Sequence, residues 1–320
     1  MAQRRPFQTD PVLTGIAIGY RNRAQSLIAD DVLPRVPVGS EKFAWTKYPL
    51  AEGFTLPDSL VGRRGRVNRV EFTGTEVDDS TDDHGFESEI PNSDIDEARK
   101  QREAGLSLYD PEAHAAEGLA DLLLLAREVR VAQLVQASSS YSASRRLVLS
   151  GTDRFSDYEN SDPIAVIKAA LEGTLIYRPN TLVMGQSVWS KLSSHPHLVN
   201  AVRGNVTSQG IITREEFARL FEIQRLLVGE SFVNLAHKGQ DPNLARVWGK
   251  SIQALYIDPN ARPQRGVTFG FTAQCGTKIG GRIEDPNIGL EGGHAVRIGE
   301  KVKECVVAPD VGFQIADAVA

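Results

Sequence analysis

The sequence predicts an α+β protein in which several parts extend beyond a compact body. Three observations predict this class. A long apolar run at helical spacing lies in the middle of the chain, short strands and helices alternate after about residue 160, and a β-rich segment follows Pro259. The composition suits a folded chain, because 41% of the residues are hydrophobic and 24% are charged.

The first ninety residues carry little helical pattern. Residues 1–40 are predicted to form an N-terminal arm with one helical turn near SLIADDV. Residues 41–90 are predicted to contain an extended hairpin, whose limbs of about 13 residues would each span about 43 Å. A body of about 250 residues has a radius of gyration of about 18 Å. We therefore expect the hairpin to project beyond its own domain.

The clearest predicted element is a long helix at 111–137. Asp110 suits its N-cap, Pro111 suits its first position, and apolar residues then recur at three- and four-residue spacing. This spine helix lies within a segment bounded by residues 91–160.

Two further segments complete the chain. Residues 161–258 are predicted to form an α/β unit, with helices capped by Asp162 and Thr213 and with the strands TLVMG, RLLVG, ARVWG and IQALYI. Residues 259–303 contain long strands and a glycine-rich turn, and residues 304–320 form a last apolar run. Cys275 and Cys305 are expected to lie opposite each other across a hairpin centred on Leu290, as free thiols.

The candidate catalytic and metal-binding motifs each lack a required residue. The GKS at residues 249–251 lacks the upstream glycine of a phosphate-binding loop, and the acidic run after Asp78 has Asp83 where a calcium loop needs glycine. His195 and His197 are predicted to be surface histidines near a helix end. We therefore predict no enzyme activity, catalytic residue, metal or cofactor. The alternative from this class is a metal-dependent hydrolase, which would need the acidic run and these histidines to converge.

Charge and hydropathy narrow the classes further. The net charge of −5 argues against a protein that grips duplex DNA, because such binding requires clustered Lys and Arg. The sequence has no apolar run of about 18 residues and no signal-peptide pattern, which indicates a cytoplasmic chain without a membrane partner.

The order of these parts resembles the major capsid protein of tailed bacteriophages, whose fold encapsulin shells share. The resemblance covers nearly the whole chain, and its most specific stretches are SLIADDVLPRVPVGSEKFAWTKYPLAEGFTLPDSLVGRRG and DPNIGLEGGHAVRIGE. It implies an icosahedral shell in which axial domains form pentamers and hexamers. The axial domain would comprise residues 161–258 and 304–320, and the peripheral domain residues 91–160 and 259–303. An encapsulin-type nanocompartment is the alternative with the same fold.

The resemblance also implies partners and a location. The expected partners are further copies of the chain, a portal protein, a scaffolding protein, a cement or decoration protein, and packaged double-stranded DNA enclosed without sequence-specific binding. The expected location is the virion capsid, and the host cytoplasm during assembly. The loop implied to lie near threefold contacts contains Glu284, Asp285, Pro286, Asn287, Gly289 and Glu291.

The extended loop is predicted to contact a neighbouring subunit. The residues assigned to this contact are Phe43, Trp45, Phe54, Leu56, Arg63, Arg64, Arg66 and Arg69. The carboxylates predicted to receive the arginines form an acidic strip of Asp78, Asp79, Asp82, Asp83, Glu87 and Glu89. The alternative is that the arginines only keep the hairpin tip soluble.

Overall fold

Two β-sheets share one long helix in the computed structural model of the protein. The structure describes residues 26–47, 55–56, 58–67, 69–70, 74–204, 209–237, 239–260 and 266–320. The N-terminal part of the chain contains a helical turn and four strands: α1 (Ala29–Val32), β1 (Arg35–Val38), β2 (Lys42–Lys47), β3 (Thr75–Ser80) and β4 (Asp82–Pro91). The predicted helical turn near SLIADDV is confirmed.

The base of the predicted hairpin is confirmed. β2 pairs antiparallel with β3, from Lys42 opposite Ser80 to Lys47 opposite Thr75. Residues 48–54 and 71–73 lie outside the described residues, and the described residues between 55 and 70 form no strand. Gly62 and Gly65 favour a turn in this segment.

The spine helix is confirmed as α3 (Pro111–Gln136), which follows α2 (Asn92–Glu103). The Asp110 side chain accepts hydrogen bonds from the backbone N–H groups of Glu112 and Ala113, as its N-cap position predicts. At 1.5 Å per residue the helix is about 39 Å long. This length allows it to contact both sheets.

The remaining elements follow in chain order. They are β5 (Arg146–Val148), α4 (Pro163–Glu172), β6 (Thr181–Gly185), α5 (Gln186–Leu192), α6 (Pro196–Arg203), α7 (Arg214–Phe221), β7 (Arg225–Gly229), β8 (Phe232–Asn234), β9 (Leu244–Arg246), β10 (Ile252–Leu255), β11 (Gly270–Asp285), β12 (Gly293–Val306) and β13 (Gly312–Ala316). The predicted capping box at the start of α7 is confirmed, because Thr213 and Glu216 exchange side-chain and backbone hydrogen bonds.

The five-stranded sheet has the order β5-β13-β10-β6-β7 and is covered on both faces. Every residue of β6 is buried. Leu182 and Met184 pack among the helices α4 to α7, whereas Val183 packs in the cluster that contains Val131 and Val135 of α3. Because both faces are covered, the strand is apolar without alternation.

The segment ARVWG does not join this sheet, contrary to the prediction. β9 instead pairs with β8 in a separate two-stranded ribbon, and the chain then turns so that Trp248 enters the core. Its indole Nε1 donates to Glu128 Oε1 at 2.6 Å. Trp248 therefore belongs to the core without belonging to a strand of the sheet.

The four-stranded sheet has the order β1-β11-β12-β4. The hairpin of β11 and β12 has an irregular register between Cys275 and Ile279, and its turn covers residues 286–292. The pairs next to the turn centre the hairpin on Gly289 and not on Leu290, and the irregularity shifts the register further. Cys275 therefore pairs with Lys301 and Cys305 with Phe271, so the expectation that the two cysteines lie opposite each other is wrong. Both are free thiols. None of the described helices is long and apolar enough to span a membrane.

Candidate assembly surfaces

The described residues between 55 and 70 of the extended loop all lie on the surface. Gly65 N donates to Gly62 O at 2.8 Å, which closes a β-turn with Arg63 and Arg64 at its two central positions. All four predicted loop arginines are exposed, and among the described residues none of them forms an ion pair. Leu56 is 92% exposed. The loop thus presents cations and apolar side chains that the described part of its own subunit does not cover. Phe54 lies outside the described residues.

The base of the hairpin differs from the tip. Phe43 and Trp45 are buried in their own subunit, where the Trp45 ring packs edge-on against Phe271 with centroids 6.4 Å apart. They belong to a small core with Val36 and Ala273. This burial corrects their assignment to the subunit interface. An alternating strand pattern has the same appearance whether the strand packs on its own sheet or on a neighbour's.

Half of the predicted acidic strip is neutralised within the subunit. β4 pairs antiparallel with β12, which carries three of the cations that face it. Asp82 pairs with Lys303 at 2.9 Å, Asp83 with Lys301 at 3.7 Å and Glu87 with Arg297 at 2.6 Å. These three contacts correct the expectation that the whole strip awaits a neighbour's arginines.

The remaining members of the strip are arranged differently. Asp79 approaches the Cys305 thiol, with its Oδ2 atom 3.9 Å from Sγ. Asp78 and Glu89 are exposed, and among the described residues neither forms an ion pair. They are therefore the two members of the strip that remain available to an external cation.

The turn between β11 and β12 is held in a defined shape at the far end of the sheet. Asp285 accepts hydrogen bonds from the backbone and side-chain amides of Asn287, both at 2.9 Å. Asn92 Nδ2 donates to the carbonyl oxygen of Glu291 at 2.9 Å. Gly292 has φ +74° and a Cβ there would meet Asp285 O at 3.3 Å, so glycine is needed. Leu290 is 99% exposed at this tip.

A buried acid on the spine helix anchors the N-terminal arm. Glu128 is fully buried, and its carboxylate accepts hydrogen bonds from Ile28 N at 3.0 Å, Ala29 N at 2.8 Å and Trp248 Nε1. Burial raises the pKa of Glu128, and the three N–H donors and Arg127 offset part of that rise. No sequence motif marks Glu128 as the anchor of the arm.

Its neighbour Arg127 is also buried, at 1% exposure. Arg127 Nη2 donates to Leu33 O and to Thr272 Oγ1, both at 3.0 Å, and its Nη1 atom pairs with Asp30. Asp30 also forms an ion pair with Arg35, and Arg35 in turn pairs with the buried Glu300 at 2.7 Å. A sequence signal existed for these residues, because the adjacent charges of Arg127 and Glu128 interrupt a predominantly apolar stretch, LLLLAREVRVAQLV.

The histidines do not form a metal site, and one of them is not on the surface. His195 is fully buried, which contradicts the prediction of a surface histidine. Its Nδ1 accepts from His197 N at 3.2 Å as the cap of α6, and its Nε2 lies 3.0 Å from Ser161 Oγ. A histidine ring can cap a helix and still fill a core, a role that the sequence around His195 does not reveal.

The acidic strip lies on β3 and β4, whereas His195 and His197 lie at the start of α6, so the two groups do not converge as a hydrolase would need. In the part of the chain that the structure describes, no group of three or more His, Cys, Asp or Glu side chains is arranged to hold a metal ion.

Comparison with known proteins gives a consistent result. No protein-family model matches the chain. A protein of Pseudomonas phage JBD67 named "Major capsid protein" is 45% identical over 315 residues, covering 98% of each chain. A phage-related protein from Bordetella bronchiseptica RB50 matches with a TM-score of 0.70 at 22% identity, over 97% of each chain. The capsid of the cyanophage P-SCSP1u matches with a TM-score of 0.58 at 12% identity, over 93% of this chain and 89% of that one.

Proposed function

The chain belongs to the family of phage major capsid proteins, and we propose that its copies assemble into the closed icosahedral shell of a tailed phage around packaged double-stranded DNA. Membership rests on the 45% identity to a named capsid protein along almost the full length of both chains. The fold agrees, since the capsid of a cyanophage shares it. The protein is thus a structural component of the virion shell, and this relationship favours a phage capsid over an encapsulin-type compartment.

The observation that carries the assembly proposal is the exposed tip of the extended loop. Arg63 and Arg64 project from a turn whose described neighbours are all exposed, so no described part of the subunit covers the tip. We propose that they, with Arg66 and Arg69, contact carboxylates of an adjacent copy, for which Asp78 and Glu89 are the candidates. Exposed ion pairs contribute only about 0.2–1 kcal/mol each, so they fix register more than strength.

The strength of the shell is proposed to come from repetition and from apolar burial. Leu56, Leu60 and Val67 are exposed on the same loop, and burying such residues contributes about 25 cal/mol per Å². Each subunit in a closed shell makes the same modest contacts with several neighbours, and these contacts act together. The axial domain is proposed to form the pentamers and hexamers, and the turn at 286–292 the threefold contacts.

The net charge of −5 suits a shell that encloses DNA without gripping it. Assembly in the host cytoplasm, with a portal protein, a scaffolding protein and a cement or decoration protein, belongs to the same proposal.

The test of the proposal is the double substitution Arg63→Glu with Arg64→Glu. Because both side chains are exposed, we expect a folded, soluble subunit with unchanged melting temperature. Reversing the charge should replace attraction by repulsion at every copy of the contact, so electron microscopy should show no shells. The control is Arg63→Lys with Arg64→Lys, which keeps the charge and should retain most assembly. Normal particles from the Glu variant would show that these arginines do not hold subunits together.

A further inference from the structure

The helical turn at the base of the arm cannot be stable by itself. α1 has four residues, and Ile28 at its N-cap has no side chain that can accept a hydrogen bond. Isolated helices of this length do not form in water, because nucleation fixes several residues for one hydrogen bond. The turn therefore depends on groups supplied from elsewhere in the subunit.

Two adjacent residues of the spine helix supply these groups at opposite ends of the turn. At the N-terminal end, the Glu128 carboxylate accepts the free N–H groups of Ile28 and Ala29. At the C-terminal end, Arg127 Nη2 donates to the free carbonyl oxygen of Leu33. An anion at the N-terminus and a cation at the C-terminus of a helix are both favourable to its dipole. The pair thus holds α1 from both ends.

Further contacts tie the same segment to both sheets. Asp31 pairs with Arg225 of the five-stranded sheet at 2.7 Å. β1 pairs parallel with β11 of the four-stranded sheet, and Thr272 Oγ1 donates to Leu33 O at 3.1 Å. The chain from Ile28 to Val38 is consequently held by the helix and by both sheets.

We propose that Arg127 and Glu128 are positioning residues for assembly, which hold the segment from Ile28 to Val38 so that the extended loop leaves the subunit in a fixed direction towards a neighbour. The hairpin strand β2 starts four residues beyond the end of this segment. A rigid base lowers the conformational entropy that each projecting segment loses when it binds a neighbour. This inference rests on the proposed function as a shell subunit.

The simpler interpretation is that the buried pair only stabilises the subunit. The stabilising and the positioning interpretations predict different effects when the pair of Arg127 and Glu128 is weakened. If the pair only stabilises the subunit, weakening it would lower the protection of amides against hydrogen exchange throughout the fold. A positioning pair would release residues 28–33 while the five-stranded sheet stays closed, because local segments can open without global unfolding.

The test is Glu128→Gln, which keeps the shape of the side chain but removes its charge. The new amide group is itself a donor, and it would face the N–H groups that now donate to the carboxylate. Hydrogen exchange at the amides of Ile28 and Ala29 should accelerate by about tenfold or more, since hydrogen bonds to a charged group are lost. Exchange in β6 and β10 should be unchanged, and the yield of shells at a fixed subunit concentration should fall by about tenfold as well. The control is Glu117→Gln, at an exposed position of the same helix, where exchange and yield should match the wild type.

A second variant tests the arm side of the contact. Asp30→Asn weakens the ion pair with Arg127 at a side chain that is 60% exposed, so the subunit should fold. We expect a smaller release of residues 28–33 and a smaller loss of shells. Wild-type protection in both variants, equal loss of protection throughout the fold, or released arms with a normal yield of shells would each overturn the inference. Failure of the wild type to form shells would instead contradict the proposed function, while exchange would still report the anchoring.

Discussion

His195 links the stability of the α/β half of the subunit to pH. Burial and the nearby His197 lower the pKa of His195 to about 4, whereas an unfolded histidine has a pKa of about 6.5. Between these values the unfolded chain binds a proton that the folded chain does not bind. Stability is therefore lost as the pH falls through this window, and it is fully present above pH of about 6.5.

The corresponding prediction concerns His195→Asn. Asparagine can still cap α6 but cannot titrate, so the variant should be less stable at pH 7 because the ring packing is lost. The stability gap to the wild type should narrow by about 2 kcal/mol between pH 7 and pH 5. Denaturant unfolding at the two pH values measures this gap, with His237→Asn at an exposed site as control. A gap that does not change with pH would contradict the prediction.

For the residues of the extended loop and the spine helix, the sequence predicted solvent exposure better than it predicted which group each side chain contacts. The tip arginines are exposed as expected, in a segment where glycines favour a turn. Phe43 and Trp45 were assigned to the wrong partner, because strand alternation does not distinguish an internal sheet from a neighbour's. Arg127 and Glu128 were missed, because a charge within an apolar helix identifies a buried group but not the segment that it binds.

The spine helix has room for a side chain at its one glycine. A Cβ built on Gly118 meets no atom within 4 Å, and glycine within a helix is less favourable than alanine. Gly118→Ala should therefore raise the free energy of unfolding of the isolated subunit by about 0.5–1 kcal/mol, measured by denaturant titration.

The contrasting substitution is Gly229→Ala at the end of β7. There a Cβ would lie 1.9 Å from Trp248 Cδ1, so the buried indole would have to move. We expect a loss of at least about 1–3 kcal/mol. A loss of stability in Gly118→Ala, or none in Gly229→Ala, would contradict the packing described here.

The elements that the sequence predicted well have local signals. Asp110 and Pro111 mark the start of α3, the Thr213 capping box marks α7, and the buried strand TLVMG has no charged residue and is apolar after Thr181. The elements that it predicted poorly depend on distant contacts. ARVWG is apolar because Trp248 reaches Glu128 across the core, and the register of the cysteines depends on an irregularity that no local pattern marks.

The whole subunit is expected to fold without its extended loop. Lys47 and Thr75 are the last paired residues in the described part of the hairpin, so an Asn-Gly turn can join them directly. Because the described loop residues are all exposed, this shortened chain should melt close to the wild-type temperature. It should nevertheless remain an unassembled subunit in analytical ultracentrifugation at concentrations where the wild type forms shells.

A matched variant separates the loop's chemistry from its length. Residues 58–67 replaced by Gly and Ser keep the reach of the loop but remove its arginines and apolar side chains, and this variant should also fail to assemble. Shells of normal size from either variant would show that the loop is not required to hold the shell together.

The parallel pairing of β1 with β11 also sets an order of events during protein synthesis. Leu33 and its partner Thr272 are 239 residues apart in sequence, so the ribosome makes the base of the arm early and its receptor strand late. At about 5–20 residues per second, roughly ten to fifty seconds separate the two. A nascent chain therefore has no anchored arm to present to another polypeptide until its translation is nearly complete.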